Sequence, residues 1–213
     1  MRMQVTNSRT RLVVRLLVTG FTCVLGSGAA QAITIVNGSF EQPAIGGSFQ
    51  NFGTGSTGIT GWTVTAGNVD LVHGSYYPAS LGDQSIDLNG QEPGAIAQTL
   101  ATTIGVPVTI RFDMGANPEN PGPDIEISRI LVSAAGESQV FELFIGGDES
   151  SPHWTRMSFT FTPIAATTTL EFASMITGEA GPTLDNVPEP GSLLLVATSV
   201  LGLVALGHRR TQR

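Results

Sequence analysis

The chain has 213 residues, of which 41% are hydrophobic, 13% are charged and 26 are glycine. This apolar content is too high for a disordered chain, and the glycines show no Gly-X-Y period, so disorder and a collagen helix are both excluded. All ten basic residues are arginines, and residues 33–187 contain only three of them against 16 carboxylates, which gives this stretch a net charge of −13. Such an acidic surface repels phosphate, so we expect no nucleic-acid partner.

Residues 1–32 have the pattern of a secretory signal peptide. Arginines precede an apolar run over 12–25, and Ala30-Gln31-Ala32 has the small-x-small form that signal peptidase cleaves. Cleavage after Ala32 removes Cys23, the only cysteine of the chain. The mature protein is therefore expected to have no disulfide and no thiol ligand for a metal.

The segment 188–213 combines three features in a fixed order: Pro-Glu-Pro at 188–190, an uncharged apolar run over 192–207, and two arginines. A helix over 192–207 is about 24 Å long, which is short for a bilayer. Its arginine flank nevertheless favours a transient inner-membrane anchor over the alternative of a buried core helix. In this order the features resemble the PEP-CTERM sorting signal of Gram-negative bacteria. The resemblance implies processing by an exosortase-type protease and delivery to the cell surface or the extracellular matrix.

Residues 33–187 have the pattern of an all-β domain, an antiparallel β-sandwich. Short runs with alternating polarity or β-branched and aromatic enrichment are separated by turns rich in Gly, Pro, Asn and Asp. These runs are 33–36, 62–65, 69–72, 85–88, 96–100, 106–114, 125–133, 139–144, 155–162 and 168–174. Two glycine- or proline-rich stretches, 43–58 and 115–124, are predicted to be loops. The length, about 155 residues, is sufficient for one domain with its own core.

Four motifs of this domain carry a family resemblance. In chain order they are NGSFE at 37–41, ITGWTV at 59–64, SIDLNG at 85–90 and PTLDNV at 182–187. Together they resemble the bacterial choice-of-anchor C proteins and the related plant cell-wall DUF642 proteins. The resemblance implies a galactose-binding-like β-jelly roll, a fold shared with many carbohydrate-binding modules, and it assigns no defined biochemical activity.

The same resemblance implies a calcium ion. In carbohydrate-binding jelly rolls of this kind, a first-strand glutamate and a last-strand aspartate meet on one calcium, and Glu41 and Asp185 occupy the matching positions. Two carboxylates brought together repel each other, and calcium binds about six to eight oxygens. The alternative is that Glu41 caps a turn and that Asp185 accepts backbone N–H bonds. We therefore predict a calcium clamp between the two ends of the domain, with this alternative open.

Aromatic residues in loops are the candidate sugar contacts. Tyr76 and Tyr77 lie in a loop over 73–82 that is flanked by Gly and Pro, and Trp154 lies in a second loop. Exposed rings of this kind stack on pyranose rings, whereas buried rings would only cover the end of the sandwich. Trp62, which enters a predicted strand, is expected in the core.

Polar residues next to the tyrosine loop are expected to bind sugar hydroxyls. They are Asp70, Gln84, Asp87 and Asn89. Strand alternation places Ile86 and Leu88 in the core, so Asp87 is expected to point outward. Together with the three rings, Asp87 and Asn89 complete the predicted ligand-binding set.

The sequence contains none of the catalytic signatures that we sought: Gly-x-Ser-x-Gly, His-Glu-x-x-His, or a phosphate-binding glycine loop. We predict a secreted, surface-sorted, non-catalytic module that binds extracellular polysaccharide. Because arginines are few, the glycan is expected to be neutral or bridged by calcium. The alternative is a structural exopolysaccharide or biofilm-matrix protein that binds protein partners and has no sugar site. Burial of all three loop rings would favour that alternative.

Overall fold

The computed structural model describes residues 33–118, 127–144 and 151–188. In these ranges the chain forms an antiparallel β-sandwich of jelly-roll type, which confirms the predicted fold class. No helix within them is long and apolar enough to cross a membrane. The predicted signal peptide at 1–32 and the predicted membrane helix at 192–207 lie outside the described residues.

Eleven strands make up the described part of the domain. They are β1 (Phe49–Gly53), β2 (Thr63–Ala66), β3 (Asn68–His73), β4 (Gln84–Asp87), β5 (Ala95–Ala101), β6 (Val108–Ala116), β7 (Ile127–Ala134), β8 (Glu137–Phe144), β9 (Thr155–Phe161), β10 (Thr167–Ser174) and β11 (Pro182–Asp185). One sheet has the order β1-β3-β4-β11-β6-β9, and the other has the order β2-β5-β10-β7-β8. In each sheet a strand from the first half of the domain therefore lies beside one from its end: β4 beside β11, and β5 beside β10.

The core lies between the two sheets and is rich in aromatic rings. Trp62 is buried beside Phe40 and Phe172, with ring centroids 5.4 and 6.1 Å away, and its indole N–H donates to the carbonyl of Asn37 at 3.1 Å. This confirms the expected core position of Trp62. The first and last segments of the domain also meet, because the N–H of Val187 donates to the carbonyl of Gly38 at 2.8 Å.

Two local predictions were wrong. Residues 33–36 form no strand, because the side-chain amide of Gln98 takes the place of a strand partner: it accepts from Val36 N at 2.8 Å and donates to Val36 O at 2.9 Å. The stretch 43–58 is not all loop, since it contains β1, which pairs with β3 at the edge of the six-stranded sheet.

The side of the six-stranded sheet that faces away from the core, here called the outer face, is largely polar. Strand register forms one row from Asn51, Asp70, Asp87, Thr183 and Gly115. The next row contains Phe49, Val72 and Ser85 on β1, β3 and β4, and Asp185, Asp113 and Arg156 on β11, β6 and β9. Since alternate residues of a strand point to opposite sides, this face lies opposite the apolar core.

Candidate functional site

Two exposed rings, Phe49 and Tyr76, meet at the β1 edge of the outer face. Phe49 is 52% exposed and Tyr76 is 39% exposed, and their centroids lie 5.8 Å apart in a tilted arrangement. Phe49 is on the outer face because Phe52, three residues later in β1, is buried on the core side. We call this pair the ring platform. It presents apolar area to solvent that a sugar face can cover.

The other two predicted rings are placed differently. Tyr77 is only 4% exposed, so its expected exposure is corrected: it packs below the surface, 5.7 Å from the ring of Tyr76. Trp154 is partly buried, and its indole N–H donates to the carbonyl of Pro78 at 3.0 Å. Of the three rings predicted from the sequence, Tyr76 is exposed, Trp154 is intermediate and Tyr77 is buried.

Amide and carboxylate groups lie beside the ring platform. Asn51 is two residues after Phe49 on the same face, and its Nδ2 donates to Asp70 Oδ1 at 2.7 Å and to Asn68 Oδ1 at 3.1 Å. Asn68 Nδ2 in turn donates to Glu92 Oε1 at 3.4 Å. Burial raises the pKa of Asp70, and the bond from Asn51 opposes this rise. This polar cluster offers donors and acceptors for sugar hydroxyls next to an apolar surface.

Asp87 is not the exposed contact that the sequence predicts. Its neighbours Ile86 and Leu88 do face the core, but Asp87 itself is only 2% exposed, because loops cover the centre of the outer face. Its Oδ1 accepts from Asn89 N at 2.8 Å and Gly181 N at 3.1 Å. Burial raises the pKa of Asp87 to about 8, an effect that these bonds oppose. Asp87 therefore lies below the surface, where a ligand on the outer face would not reach it.

Asn89 is also buried, which corrects its predicted role. Its Nδ2 donates to the carbonyls of Ile176 and Gly178, at 3.1 and 2.9 Å. These bonds fasten the segment after β10 over the sheet. Asn89 thus anchors a loop, and its side chain does not reach the surface where a sugar would bind.

Asp185, one of the two predicted calcium ligands, is buried at the end of β11. Its Oδ2 accepts the backbone N–H groups of Ser80 and Leu81, both at 2.8 Å, and its Oδ1 accepts the N–H of Asn186 at 2.5 Å. Burial raises the pKa of Asp185 to about 7, the three N–H bonds lower it, and the nearby carboxylate of Asp113 raises it.

Glu41, the other predicted ligand, is half-buried before β1, and its Oε1 accepts from Asp83 N at 2.9 Å and Gln84 N at 3.1 Å. Each of the two carboxylates therefore accepts at least two backbone N–H bonds. Within the described ranges no three His, Cys, Asp or Glu side chains are grouped to hold an ion. The donor set fits the turn-capping alternative and does not fit calcium. The calcium ion remains a prediction.

A shallow depression of about 440 Å³ lies on the five-stranded sheet, away from the residues discussed so far. Its lining includes Leu131, Ser133, Ser138, Thr169 and Glu171. None of its lining residues is aromatic, so it has hydroxyl groups but no stacking surface. The ring platform is the better candidate because it combines exposed rings with the polar groups of Asn51 and Asp70.

Sequence reasoning missed Phe49 and Asn51. Both lie in the glycine-rich stretch that was predicted to be a loop. A signal was nevertheless present, because the run 49–52 contains two phenylalanines and is bounded by Gly47 and Gly53. A short run that is bounded by turn residues is typical of an edge strand.

A family model described as "Protein of unknown function (DUF642)" matches residues 33–188, and the PEP-CTERM protein-sorting motif matches residues 186–210. Among curated proteins, halomucin from Haloquadratum walsbyi is 33% identical over 178 residues. The match covers 80% of this chain and 2% of halomucin, so the chain spans a very small part of that relative.

Solved structures of carbohydrate-binding modules are also similar to this chain. One, described as "CBM4 structure and function", has a TM-score of 0.42 and 16% identity, and the match covers 74% of this chain and 99% of that one. A family 35 module from an environmental isolate has a TM-score of 0.41 and 16% identity, with coverage of 72% and 92%.

Proposed function

The chain belongs to the DUF642 family and carries a PEP-CTERM sorting motif, and on that premise we propose that it is a surface-sorted, non-catalytic module that binds extracellular polysaccharide. The sorting motif implies export and sorting to the cell envelope. The observation that carries the proposal is the ring platform, Phe49 and Tyr76, with Asn51 and Asp70 beside it. Rings bind the apolar faces of sugars, and adjacent amides and carboxylates bind their hydroxyls.

The charges around the platform favour a neutral glycan. Asp70 and Glu92 are the charged side chains of the polar cluster. The three arginines of the domain lie elsewhere: Arg111 and Arg156 on β6 and β9 at the opposite side of the sheet, and Arg129 on β7 in the other sheet. A uronic acid at the platform would therefore meet carboxylates without a nearby guanidinium. An anionic glycan bridged by calcium is the alternative that this charge pattern allows.

The proposed export route predicts two cleavages of the chain. In this proposal signal peptidase removes residues 1–32, the run 192–207 holds the chain transiently in the inner membrane of a Gram-negative bacterium, and an exosortase-type protease removes the tail after about Pro190. The product is released to the cell surface or the extracellular matrix. Intact mass of protein recovered from the surface tests this, since it should begin at Ile33 and lack residues 191–213. A retained tail would instead identify a membrane anchor.

The test of sugar binding is the double variant Phe49→Ala with Tyr76→Ala. Loss of two exposed stacking rings is expected to weaken glycan binding by about 1–3 kcal/mol, with little change in the free energy of unfolding. Calorimetric titration of the full chain in mild detergent against neutral and uronic-acid glycans measures the loss. Phe144→Ala is the matched control, because Phe144 is an exposed ring on β8 in the other sheet.

Two results would contradict this proposal in different ways. Unchanged affinity in the double variant would move the site away from the platform. Preferred, calcium-independent binding of uronic-acid glycans would refute the expected neutral ligand.

A structural matrix role is the second candidate. It is favoured by the burial of Tyr77 and by the bond that Trp154 makes to the loop at Pro78, which leave a smaller ring surface than the sequence predicts. In that case the wild-type chain binds neither the neutral nor the uronic-acid glycans of the titration. Sedimentation of the full chain, alone and with matrix proteins, then reports the association that replaces sugar binding.

A further inference from the structure

One short segment, residues 80–84, binds both carboxylates that the family resemblance assigns to calcium. Asp185 accepts the N–H groups of Ser80 and Leu81, each at 2.8 Å. Glu41 accepts the N–H groups of the last two residues of the segment, at 2.9 and 3.1 Å. Because Glu41 precedes β1 and Asp185 ends β11, these four bonds join the two ends of the domain to a single loop.

The segment offsets part of the negative charge of these carboxylates, since its N–H bonds lower the pKa of Asp185, which burial raises. Backbone N–H groups carry partial positive charge, and several of them directed at one carboxylate stabilise it. Calcium would need about six to eight oxygen ligands in the same space. The N–H groups already lie against Asp185 Oδ1 and Oδ2 and against Glu41 Oε1. Three of the four carboxylate oxygens therefore accept N–H bonds from peptide groups.

Ser80 makes a second attachment to the sheet. Its Oγ donates to Asp113 Oδ2 at 2.5 Å, while its N–H donates to Asp185. Asp113 is the register partner of Asp185 on β6, and it also accepts from Asn186 Nδ2 at 2.8 Å. Arg156 forms an ion pair with Asp113 at 2.5 Å and supplies a positive charge to this group of acids.

The segment 80–84 continues the loop that carries Tyr76. The N–H of Gly74 donates to the carbonyl of Asp83 at 2.7 Å, which closes the base of the loop, and Trp154 holds its middle at Pro78. The position of Tyr76 against Phe49 therefore depends on where the segment is fastened.

We propose that residues 80–84 form a peptide clamp that takes the place of a metal ion between Glu41 and Asp185 and holds Tyr76 in position for ligand binding. The clamp consists of the domain's own amides and carboxylates. Its link to Tyr76 rests on the proposed sugar-binding function. Glu41 and Asp185 are then positioning residues that do not touch the ligand.

Gly82→Ala is the variant that opens the clamp. Gly82 has φ +79°, and a Cβ at this position would collide with Glu41 Oε1. Gly136→Ala is the matched control, because Gly136 has φ +82° but a Cβ there meets no atom within 4 Å. Both variants carry the strain of a positive φ. Gly136→Ala controls for a general loss of stability, and Glu41→Gln, which weakens the acceptor without straining residue 82, tests the contact itself.

Hydrogen–deuterium exchange of the full chain in mild detergent is the readout. Exchange at the amides of Asp83 and Gln84, which face Glu41, is expected to be at least about tenfold faster in Gly82→Ala and unchanged in Gly136→Ala. If Gly82→Ala does not fold, Glu41→Gln provides a milder test. In that variant the increase in exchange rate is expected to be larger at Asp83 and Gln84, which bond to Glu41, than at Ser80 and Leu81. Unchanged exchange at all four amides in Glu41→Gln and in a folded Gly82→Ala overturns the clamp.

A calcium arm tests whether the peptide replaces the ion. Exchange at the four amides and the Tm of the wild-type chain are expected to be the same in calcium chloride and in chelator. Slower exchange at these amides in calcium, or a Tm higher by several degrees, overturns the proposal, because an ion that binds only the folded state stabilises it.

A sugar arm separates this inference from the proposed function. Tyr76→Ala is expected to weaken glycan binding while the four amides keep their slow exchange. Gly82→Ala is expected to weaken binding with faster exchange. If the wild-type chain binds no glycan, the proposed function fails and the exchange data alone decide the clamp. Fast exchange with unchanged affinity in Gly82→Ala overturns the link to Tyr76.

Discussion

The edge and the centre of the outer face carry the same types of side chain in different surroundings. At the β1 edge Asn51 is exposed and Asp70 is half-buried, whereas in the centre Asp87 and Asp185 are covered by loops. The central carboxylates accept backbone N–H bonds from the loops that cover them. The groups at the edge bond mainly to one another and remain next to solvent. One polar sheet face thus provides loop anchors in its centre and a candidate binding surface at its edge.

The strongest way to break this comparison is Asp185→Ala. The variant leaves the N–H groups of Ser80, Leu81 and Asn186 without their acceptor, so the free energy of unfolding is expected to fall by about 3 kcal/mol. Urea unfolding measures the change. Asp83→Ala, which removes an exposed carboxylate of the same loop, is the control and should stay within about 0.5 kcal/mol. Equal losses in the two variants would contradict the anchoring role.

The second prediction concerns pH. Burial raises the pKa of Asp87 to about 8 and that of Asp185 to about 7, both above the value of 3.8 for an unperturbed carboxyl. The folded state then holds protons that the unfolded chain has lost. The contribution of these two groups to stability is therefore fully present below about pH 4 and is lost as the pH rises through 7 and 8.

The Tm of the wild-type chain is accordingly expected to fall by several degrees between pH 5 and pH 8.5. Asp87→Asn should flatten the upper part of this fall, because the variant has no carboxyl to ionise at that position. A constant Tm across the range, in thermal scans at matched ionic strength, would show that the centre is better solvated than its burial indicates.

The third prediction compares a covered ion pair with an exposed one, and the expected changes in the free energy of unfolding are smaller. Arg156 pairs with the buried Asp113, whereas Arg129 pairs with Glu142 on the surface at 2.7 Å. Arg156→Ala is expected to cost about 1–2 kcal/mol, since it leaves a covered carboxylate without its counter-ion. Arg129→Ala should cost less than about 0.5 kcal/mol. Denaturant unfolding of both variants decides the order, and the reverse order would refute this ranking.

The smallest expected effect connects the edge with the centre. The carboxylate of Asp70 raises the pKa of Asp87, its register partner on β4. Asp70→Asn should therefore be less favourable to stability at pH 5, where Asp87 is protonated, than at pH 8.5, where Asp87 is charged. Relative to pH 5, the effect of the variant on the free energy of unfolding at pH 8.5 should be more favourable by a few tenths of a kcal/mol. An equal change at both pH values would show a packing effect instead of a charge effect.

The fold class could be predicted because alternating polarity and turn residues are local signals. The same signals place Ile86 and Leu88 in the core correctly. They could not show that Asp87 is covered, because the covering loops come from distant parts of the chain. They also missed the role of Gln98, whose side chain replaces a strand partner for Val36, since a side-chain amide that pairs with backbone leaves no periodic pattern.

The candidate site was only partly predictable. Tyr76 was identified from its glycine- and proline-flanked loop, but Phe49 was hidden in a glycine-rich stretch, and exposure cannot be read from composition. The resemblance to DUF642 and to the sorting signal is confirmed by the matched ranges, whereas the choice-of-anchor C assignment stays a prediction. The motifs placed Glu41 and Asp185 correctly at the two ends of the domain. They carried no information on the amides that face them.

The bond between Val187 and Gly38 has a mechanical consequence. Because the two end segments of the domain meet here, a pull on both ends acts on this contact together with the bonds that hold Val36 to Gln98 on β5. Inserted into a longer polypeptide, such a domain adds bulk but almost no contour length between its points of attachment.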